Sequence, residues 1–205
     1  MSGSVRGFIP WIAFAVLSGT AGWETAAITA VALSVVLLLR NRRAGVGLDA
    51  NVIELSAAVF FVAVAILAHV QPHSPLRDGV GALSSAWLAL TAWASLAISR
   101  PFTLGIARRS VPEQLWNTPQ FRRANNVITS VWAAGFTVTA LVCGAIDLTD
   151  PHASLATTLI QVAGFVVPAV FTLRYQESRR RLAAQSAQTA HAAQAGQAAV
   201  FTKES

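Results

Sequence analysis

The feature that most constrains this chain is a series of long apolar runs that contain almost no charged side chains. A helix needs about 20 apolar residues to cross the ~30 Å hydrocarbon core of a bilayer. Five runs approach that length, at residues 22–39, 52–70, 80–98, 127–146 and 155–173. Charged residues make up only 12% of the chain, against roughly 25% in soluble domains. The sequence therefore predicts an all-α, polytopic membrane bundle in residues 1–175.

A sixth apolar run, residues 8–18, is shorter, and the sequence leaves its crossing of the bilayer open. At ~1.5 Å per residue it reaches about half way through the core. If flanking residues extend the helix to about residues 8–20, the run crosses the bilayer. If it stays short, it enters and leaves on the same side, provided that other parts of the protein cover its backbone. Pro10 suits the first turn of such a helix. We predict five full spans plus this short helix, five to six crossings in all.

The basic residues predict how the chain is oriented, because cytoplasmic loops of membrane proteins carry an excess of Lys and Arg. If each apolar run crosses the membrane, successive connecting segments lie on opposite sides. Of the 15 basic residues, all but Arg77 then fall in segments on the same side. The loop at residues 147–152, on the other side, contains two aspartates. We predict a bacterial inner-membrane protein with a cytoplasmic C-terminus. The N-terminus is cytoplasmic if residues 8–18 cross, and outside if they do not.

The longest connection, residues 101–126, is the candidate working surface. Apolar residues alternate in it with arginines, and Pro112 and Pro119 interrupt it. We interpret it as one or two short helices lying in the cytoplasmic interface, apolar side toward the lipid; a solvated loop is the alternative. An arginine near an anionic leaflet adds ~1 kcal/mol of attraction. The candidate residues for anionic lipid headgroups or a protein partner are Arg108, Arg109, Trp116, Arg122 and Arg123.

Glu54 is a carboxylate inside an apolar run, two residues after the start of the 52–70 helix. The helix dipole stabilises a carboxylate near a helix N-terminus by ~0.3–1 kcal/mol, which is the structural explanation. Arg40 and Arg100 are its expected partners at the same depth. The functional explanation is a proton- or cation-handling group that faces the bundle interior.

Gln161 lies deeper in its run, where an unpaired amide is costly. We expect it to bond Thr137 or Thr139 on another helix, for ~0.6 kcal/mol. Pro168 in the same run predicts a kink. Together with Glu54, these residues define the alternative function, a small transporter or channel with a polar path.

Signals for catalysis, a cofactor or a metal are weak or missing. The sequence has no GxxxxGK phosphate loop, no GxGxxG motif after a strand, and no HExxH or GxSxG motif. His69, His73 and Asp78 share a loop and are residue types that bind zinc, but they lack the helical i, i+4 spacing. We expect no enzyme activity, cofactor or metal. We also expect no nucleic acid, because the basic residues flank apolar runs rather than form a patch.

Two further patterns concern packing and the tail. Small residues recur at four-residue spacing at Gly81 and Ser85, and at Ala140 and Gly144, which lets helix backbones approach closely. Packing within the bundle is the expected use, and a homo-oligomer contact is the alternative. Residues 176–205 are rich in Ala and Gln without an apolar stripe. We expect a cytoplasmic helix that frays and becomes disordered.

A family resemblance rests on the segment Phe8-Ile9-Pro10-Trp11-Ile12-Ala13-Phe14 and on the later order of spans and loop residues. That order is Arg100-Pro101-Phe102, a basic loop with Pro112 and Trp116, then Asn125, Trp132 and Phe136. In these features the chain resembles the bacterial intracellular septation protein A family over roughly residues 8–175. The resemblance implies a non-enzymatic inner-membrane protein that supports envelope integrity and septation. Its implied partners are membrane lipids and envelope or division membrane proteins.

Overall fold

The computed structural model describes residues 6–47, 51–108, 111–149 and 154–201, and these residues form helices joined by short turns. The α-helices are α1 (Ile9–Ser18), α2 (Trp23–Arg43), α3 (Val52–Val70), α4 (Val80–Ala97), α5 (Phe102–Arg108), α6 (Pro119–Thr149) and α7 (Ser154–Phe201). Helices α2, α3, α4 and α6, and Leu155–Leu182 of α7, are long and apolar enough to cross a membrane. The predicted all-α polytopic bundle is confirmed.

Helix α6 begins eight residues earlier than the apolar run predicts. The Thr118 hydroxyl accepts a hydrogen bond from the Phe121 N–H at 3.3 Å, and Pro119 occupies the first helical position. Both features favour a helix start, because a hydroxyl caps a free N–H and proline lacks one. The last third of the predicted 101–126 loop is therefore the first two turns of a helix that continues to Thr149.

The chain divides into two compact units, and the boundary falls inside α7 after Val166. In the second unit, Phe171 and Tyr175 stack with ring centroids 5.6 Å apart, and the Thr172 hydroxyl donates to the Pro168 carbonyl at 2.7 Å. Helix α7 continues through Pro168 as far as Phe201. The helix expected in the tail is therefore present as far as that residue, and its fraying stays a prediction; residues 202–205 lie outside the described range.

Two ends of the first unit are defined by contacts between helices. At one end the side chain of Asn41, late in α2, bonds Glu54 at the start of α3. At the same end Thr103 in α5 bonds the Asn125 carbonyl near the start of α6. We call this the arginine-rich end, because the arginines that end α2, follow α4 and lie in the first turns of α6 belong to it. At the opposite end the Trp23 indole N–H donates to the Pro72 carbonyl at 3.3 Å.

Helix α1, with the 3₁₀ turn Arg6–Phe8 before it, connects these two ends. A methyl group added at Gly7 would lie 3.4 Å from Glu54 Oε1, so the turn starts at the arginine-rich end. After α1 the chain enters α2 at Trp23, which lies at the opposite end. The short helix and its flanking turns thus traverse the bundle from one end to the other, the arrangement required by six crossings.

Aromatic side chains join α1 to the rest of the first unit. The Phe8 ring lies 5.2 Å from Trp132 in α6, 5.1 Å from Phe165 in α7 and 6.5 Å from Phe102 in α5. Trp11 packs on Phe60 and Phe61, with centroids 5.1 and 4.7 Å away. Such pairs contribute ~0.5–1.5 kcal/mol each beyond burial. The N-terminal helix is therefore part of the core.

Helices α3 and α4 meet through a polar link inside the bundle. The Ser56 and Thr91 hydroxyls lie 2.7 Å apart, and the Trp87 indole N–H donates to Ser56 Oγ at 2.9 Å. These bonds satisfy hydroxyls that would otherwise face hydrocarbon. On α4 and α6 the predicted small-residue packing occurs within the chain, because a methyl group added at Gly144 would meet the Ala82 methyl at 4.0 Å.

Candidate functional site: the arginine-rich end

A tight turn after α4 directs the candidate segment back toward the bundle. Ser99 adopts a left-handed backbone with φ of 56°, unusual for a residue with a side chain. The Ser95 carbonyl accepts from the Arg100 N–H at 2.9 Å, and the Ser95 hydroxyl accepts from the Phe102 N–H at 3.2 Å. The buried Ser95 therefore bonds two residues that follow the turn, Arg100 and Phe102, and this sets the direction of α5.

Helix α5 packs into the bundle and does not lie with its apolar side toward the lipid. Phe102, Thr103 and Gly105 are buried. The Thr103 hydroxyl donates to the Asn125 carbonyl at 3.1 Å and lies 2.8 Å from the Thr129 hydroxyl of α6. The sequence correctly predicted a short helix here. Phe102 and Thr103 differ from the expected orientation toward the lipid, because they contact Phe8 of the 3₁₀ turn and polar groups of α6.

The last residue of α5 and the segment after the helix form a clamp in which an arginine lies over an indole ring. The guanidinium carbon of Arg108 is 5.1 Å from the centroid of the Trp116 ring. The Trp116 indole N–H donates to the Val111 carbonyl at 2.9 Å, which fixes the ring. A cation–π contact of this kind contributes ~0.5–1 kcal/mol at an exposed site. Arg109, the neighbouring candidate, lies outside the described residues.

Arg122 and Arg123 extend from the first turns of α6 and are exposed. The positive end of a helix dipole lies at its N-terminus, so these arginines add positive potential to a site that is already positive. Within residues 111–149 neither arginine forms an ion pair. Glu113 is the acidic residue of this connection, and it lies in the 3₁₀ turn Glu113–Leu115. The arrangement suits binding of an anion presented at a surface.

Glu54 is buried, with 5% of its surface exposed, and two asparagine side chains form a hydrogen-bond network with it. Asn41 Nδ2 donates to Glu54 Oε1 at 3.2 Å and to Asn51 Oδ1 at 2.6 Å. Asn51 Nδ2 in turn donates to the Gly47 carbonyl at 2.8 Å. Arg40 and Arg100 were expected as the partners of Glu54, and Asn41, the residue after Arg40, is one partner in the structure. This network ties the α2–α3 connection together, which favours the structural explanation of Glu54.

The amide of Gln161 lies directly over Gly81 at the start of α4, where any side chain would collide with it. Thr139, one of its predicted partners, instead lies against Gly164. The other, Thr137, accepts from the Trp93 indole N–H at 3.1 Å. The expected bond from Gln161 to these threonines is therefore wrong.

Glu54 and Gln161 lie in different parts of the bundle. Ser56, two residues after Glu54, bonds Thr91 of α4, and Gly81 under Gln161 is ten residues from Thr91. Ten helical residues correspond to ~15 Å. The two polar groups do not meet, so they supply no shared site for the transporter alternative.

At the opposite end, His69 Nδ1 lies 3.0 Å from Glu24 Oε1, which links α3 to α2. In the part of the chain that the structure describes, no three His, Cys, Asp or Glu side chains gather closely enough to hold a metal ion. Asp150 and His152, in the second loop of this end, fall outside that part.

Sequence reasoning missed the amides around Glu54 and the Ser56, Thr91 and Trp87 link. The signal for the first was Asn41 between Arg40 and Arg42 at a helix end, a polar residue that can turn inward while its neighbours face the headgroups. Comparisons with protein-family models, characterised proteins and solved structures found no match to this chain.

Proposed function

We propose that this protein is a multi-pass scaffold of the bacterial inner membrane that supports the cell envelope and septation through lipid and protein contacts. In this proposal the arginine-rich end faces the cytoplasm, as does the C-terminus. The observation that carries it is the exposed, unpaired arginine pair Arg122 and Arg123 beside the Arg108–Trp116 clamp. The positive-inside rule assigns such an end to the cytoplasmic side, where the leaflet is anionic.

The interior of the bundle supports a scaffold more than a transporter. Its buried polar groups bond one another between helices, at Glu54 and Asn41, at Ser56 and Thr91, and at Thr103 and Thr129. A transport path needs polar groups that line a shared route, and Glu54 and Gln161 lie apart. The septation part of the proposal rests on the sequence resemblance to the septation protein A family, and the lipid part rests on the arginines.

The test reverses the charge of the exposed pair with Arg122→Glu and Arg123→Glu. Acidic residues near a helix N-terminus are favourable, so α6 should remain folded. Each arginine contributes ~1 kcal/mol of attraction to an anionic leaflet, so we expect at least a tenfold loss of co-purified phosphatidylglycerol over phosphatidylcholine. Septum placement in cells that depend on the variant should also become irregular.

The matched control is Arg77→Glu, a single exposed arginine at the opposite end of the bundle. It should leave both lipid retention and septum placement unchanged. If the double reversal changes neither measurement, the arginine-rich end is not the working surface. If lipid retention falls while septa stay normal, the lipid contact stands and the septation role fails.

A further inference from the structure

A second lipid-binding feature is an apolar groove along α1, separate from the 101–126 connection. The groove has a volume of about 380 Å³ and is lined by Ile9, Ile12, Ala13, Val16 and Leu17. These positions follow i, i+3, i+4, i+7 and i+8 and form one stripe of the helix. Ile12 and Val16 are 49% and 63% exposed, so the middle of the stripe is open on the surface of the described chain.

Four arginines belong to the end of the bundle at which this groove begins. Arg6 is three residues before Ile9, begins the 3₁₀ turn that leads into α1, and is exposed. Helix α2 runs back beside α1 and ends with Arg40, Arg42 and Arg43, all exposed. The contacts of Glu54 with Asn41 and Gly7 place both helix ends at the same end of the bundle.

We infer that the groove and these arginines together bind one anionic membrane phospholipid, with an acyl chain along α1 and the phosphate at Arg6 and the arginines that end α2. The apolar stripe accepts a hydrocarbon chain and offers nothing to a free phosphate. The arginines attract a headgroup with net negative charge and distinguish it from a zwitterionic lipid. Among residues 6–47 none of these four arginines forms an ion pair, so all four are available to phosphate oxygens.

This site differs from the bulk lipid that surrounds any membrane helix, because the chain and the headgroup are held by linked features. A lipid that merely solvates α1 would exchange freely and show no headgroup preference. A lipid held at both places should survive detergent purification and should be selected for its charge. The inference does not depend on Arg122 or Arg123, so its failure and that of the proposed function are distinguishable.

The experiment uses the full-length protein in nanodiscs of phosphatidylcholine with one-fifth phosphatidylglycerol. The protein is released from the nanodiscs, and the lipid that it retains is identified by native mass spectrometry. The wild type should retain one phosphatidylglycerol molecule. Ala13→Trp, which fills the groove, should abolish retention. The double variant Arg42→Gln and Arg43→Gln should lower the phosphatidylglycerol-to-phosphatidylcholine ratio at least tenfold, since each arginine contributes ~1 kcal/mol.

The controls are Val62→Trp, an exposed position on α3 outside the groove, and Arg77→Gln at the opposite end. Both should retain the lipid. Arg42 and Arg43 are exposed, so their variants test the inference even if Ala13→Trp fails to fold. Equal retention of both lipids by the wild type overturns the inference. The inference is also overturned if Ala13→Trp converts a dimer to a monomer and still retains the lipid, because the groove would then bind a second copy of the chain.

Discussion

At the scale of single residues, the bundle is defined by how it satisfies polar groups away from water. Glu54 has an amide donor, Thr103 and Thr129 bond each other, and the Ser34 hydroxyl donates to the Ala30 carbonyl one turn back. An unpaired polar group in hydrocarbon costs several kcal/mol, so such pairing is expected. One exception in the described chain is the Trp11 indole N–H, which is buried and has no acceptor there.

The Trp87 indole N–H has an acceptor and the Trp11 indole N–H has none, and this predicts a difference in stability between variants at the two positions. Trp87→Phe removes a donor to Ser56 and should cost ~1 kcal/mol more than Trp11→Phe, which removes an N–H that has no acceptor in the described structure. Both changes remove the same atoms, and the lost volume costs more at the buried Trp11 than at the half-buried Trp87, so packing opposes the predicted order. Thermal unfolding in detergent measures the difference. A Trp11→Phe variant that is the less stable of the two would contradict the prediction.

Single-residue predictions from sequence succeeded where a local rule applied and failed where tertiary contacts decide. The position of Glu54 near a helix N-terminus follows from the macrodipole, and its burial at the start of α3 agrees with it. Its partner Asn41 and the neighbours of Gln161 depend on how helices rotate against one another. Periodicity does not fix those rotations when most faces of a helix are apolar, as they are in lipid.

At the scale of helices, small residues decide which helices touch closely. Thr139 lies against Gly164. A methyl group added at Gly164 would be 3.1 Å from Thr139 Cβ and closer still to the Thr139 hydroxyl. Gly144 faces only the Ala82 methyl at 4.0 Å, an ordinary contact. The sequence showed the four-residue spacing that includes Gly144, but Gly164 has no matching small residue and was not singled out.

The two glycines therefore respond differently to the same change. Gly164→Ala should destabilise the protein by ~1–3 kcal/mol, because the methyl group forces α7 away from α6. Gly144→Ala should be neutral or stabilising by up to ~1 kcal/mol, because alanine is the better helix former and space exists for it. Unfolding in mixed detergent micelles compares the two variants. Equal effects would contradict the close approach at Gly164.

At the scale of the whole molecule, the sequence predicted the long spans well and the placement of short segments poorly. Span length follows directly from apolar runs, and predicted residues 52–70 coincide with α3. Whether residues 8–18 reach from end to end depends on Phe8 and Trp11 inserting among other helices, which no local pattern records. The same holds for α5, whose burial against Asn125 and Thr129 is a tertiary contact.

The most direct test of the account is the accessibility of single cysteines in a Cys143→Ser background. Cysteine is placed at the exposed positions Arg6, Ala44 and Glu113 of the arginine-rich end and at His73 of the opposite end. A membrane-impermeant maleimide applied to intact spheroplasts should label position 73 alone, and positions 6, 44 and 113 only after the membrane is opened. Labelling of position 6 in intact spheroplasts, with 44 and 113 protected, would contradict six crossings. Labelling of 44 and 113 would overturn the assigned orientation.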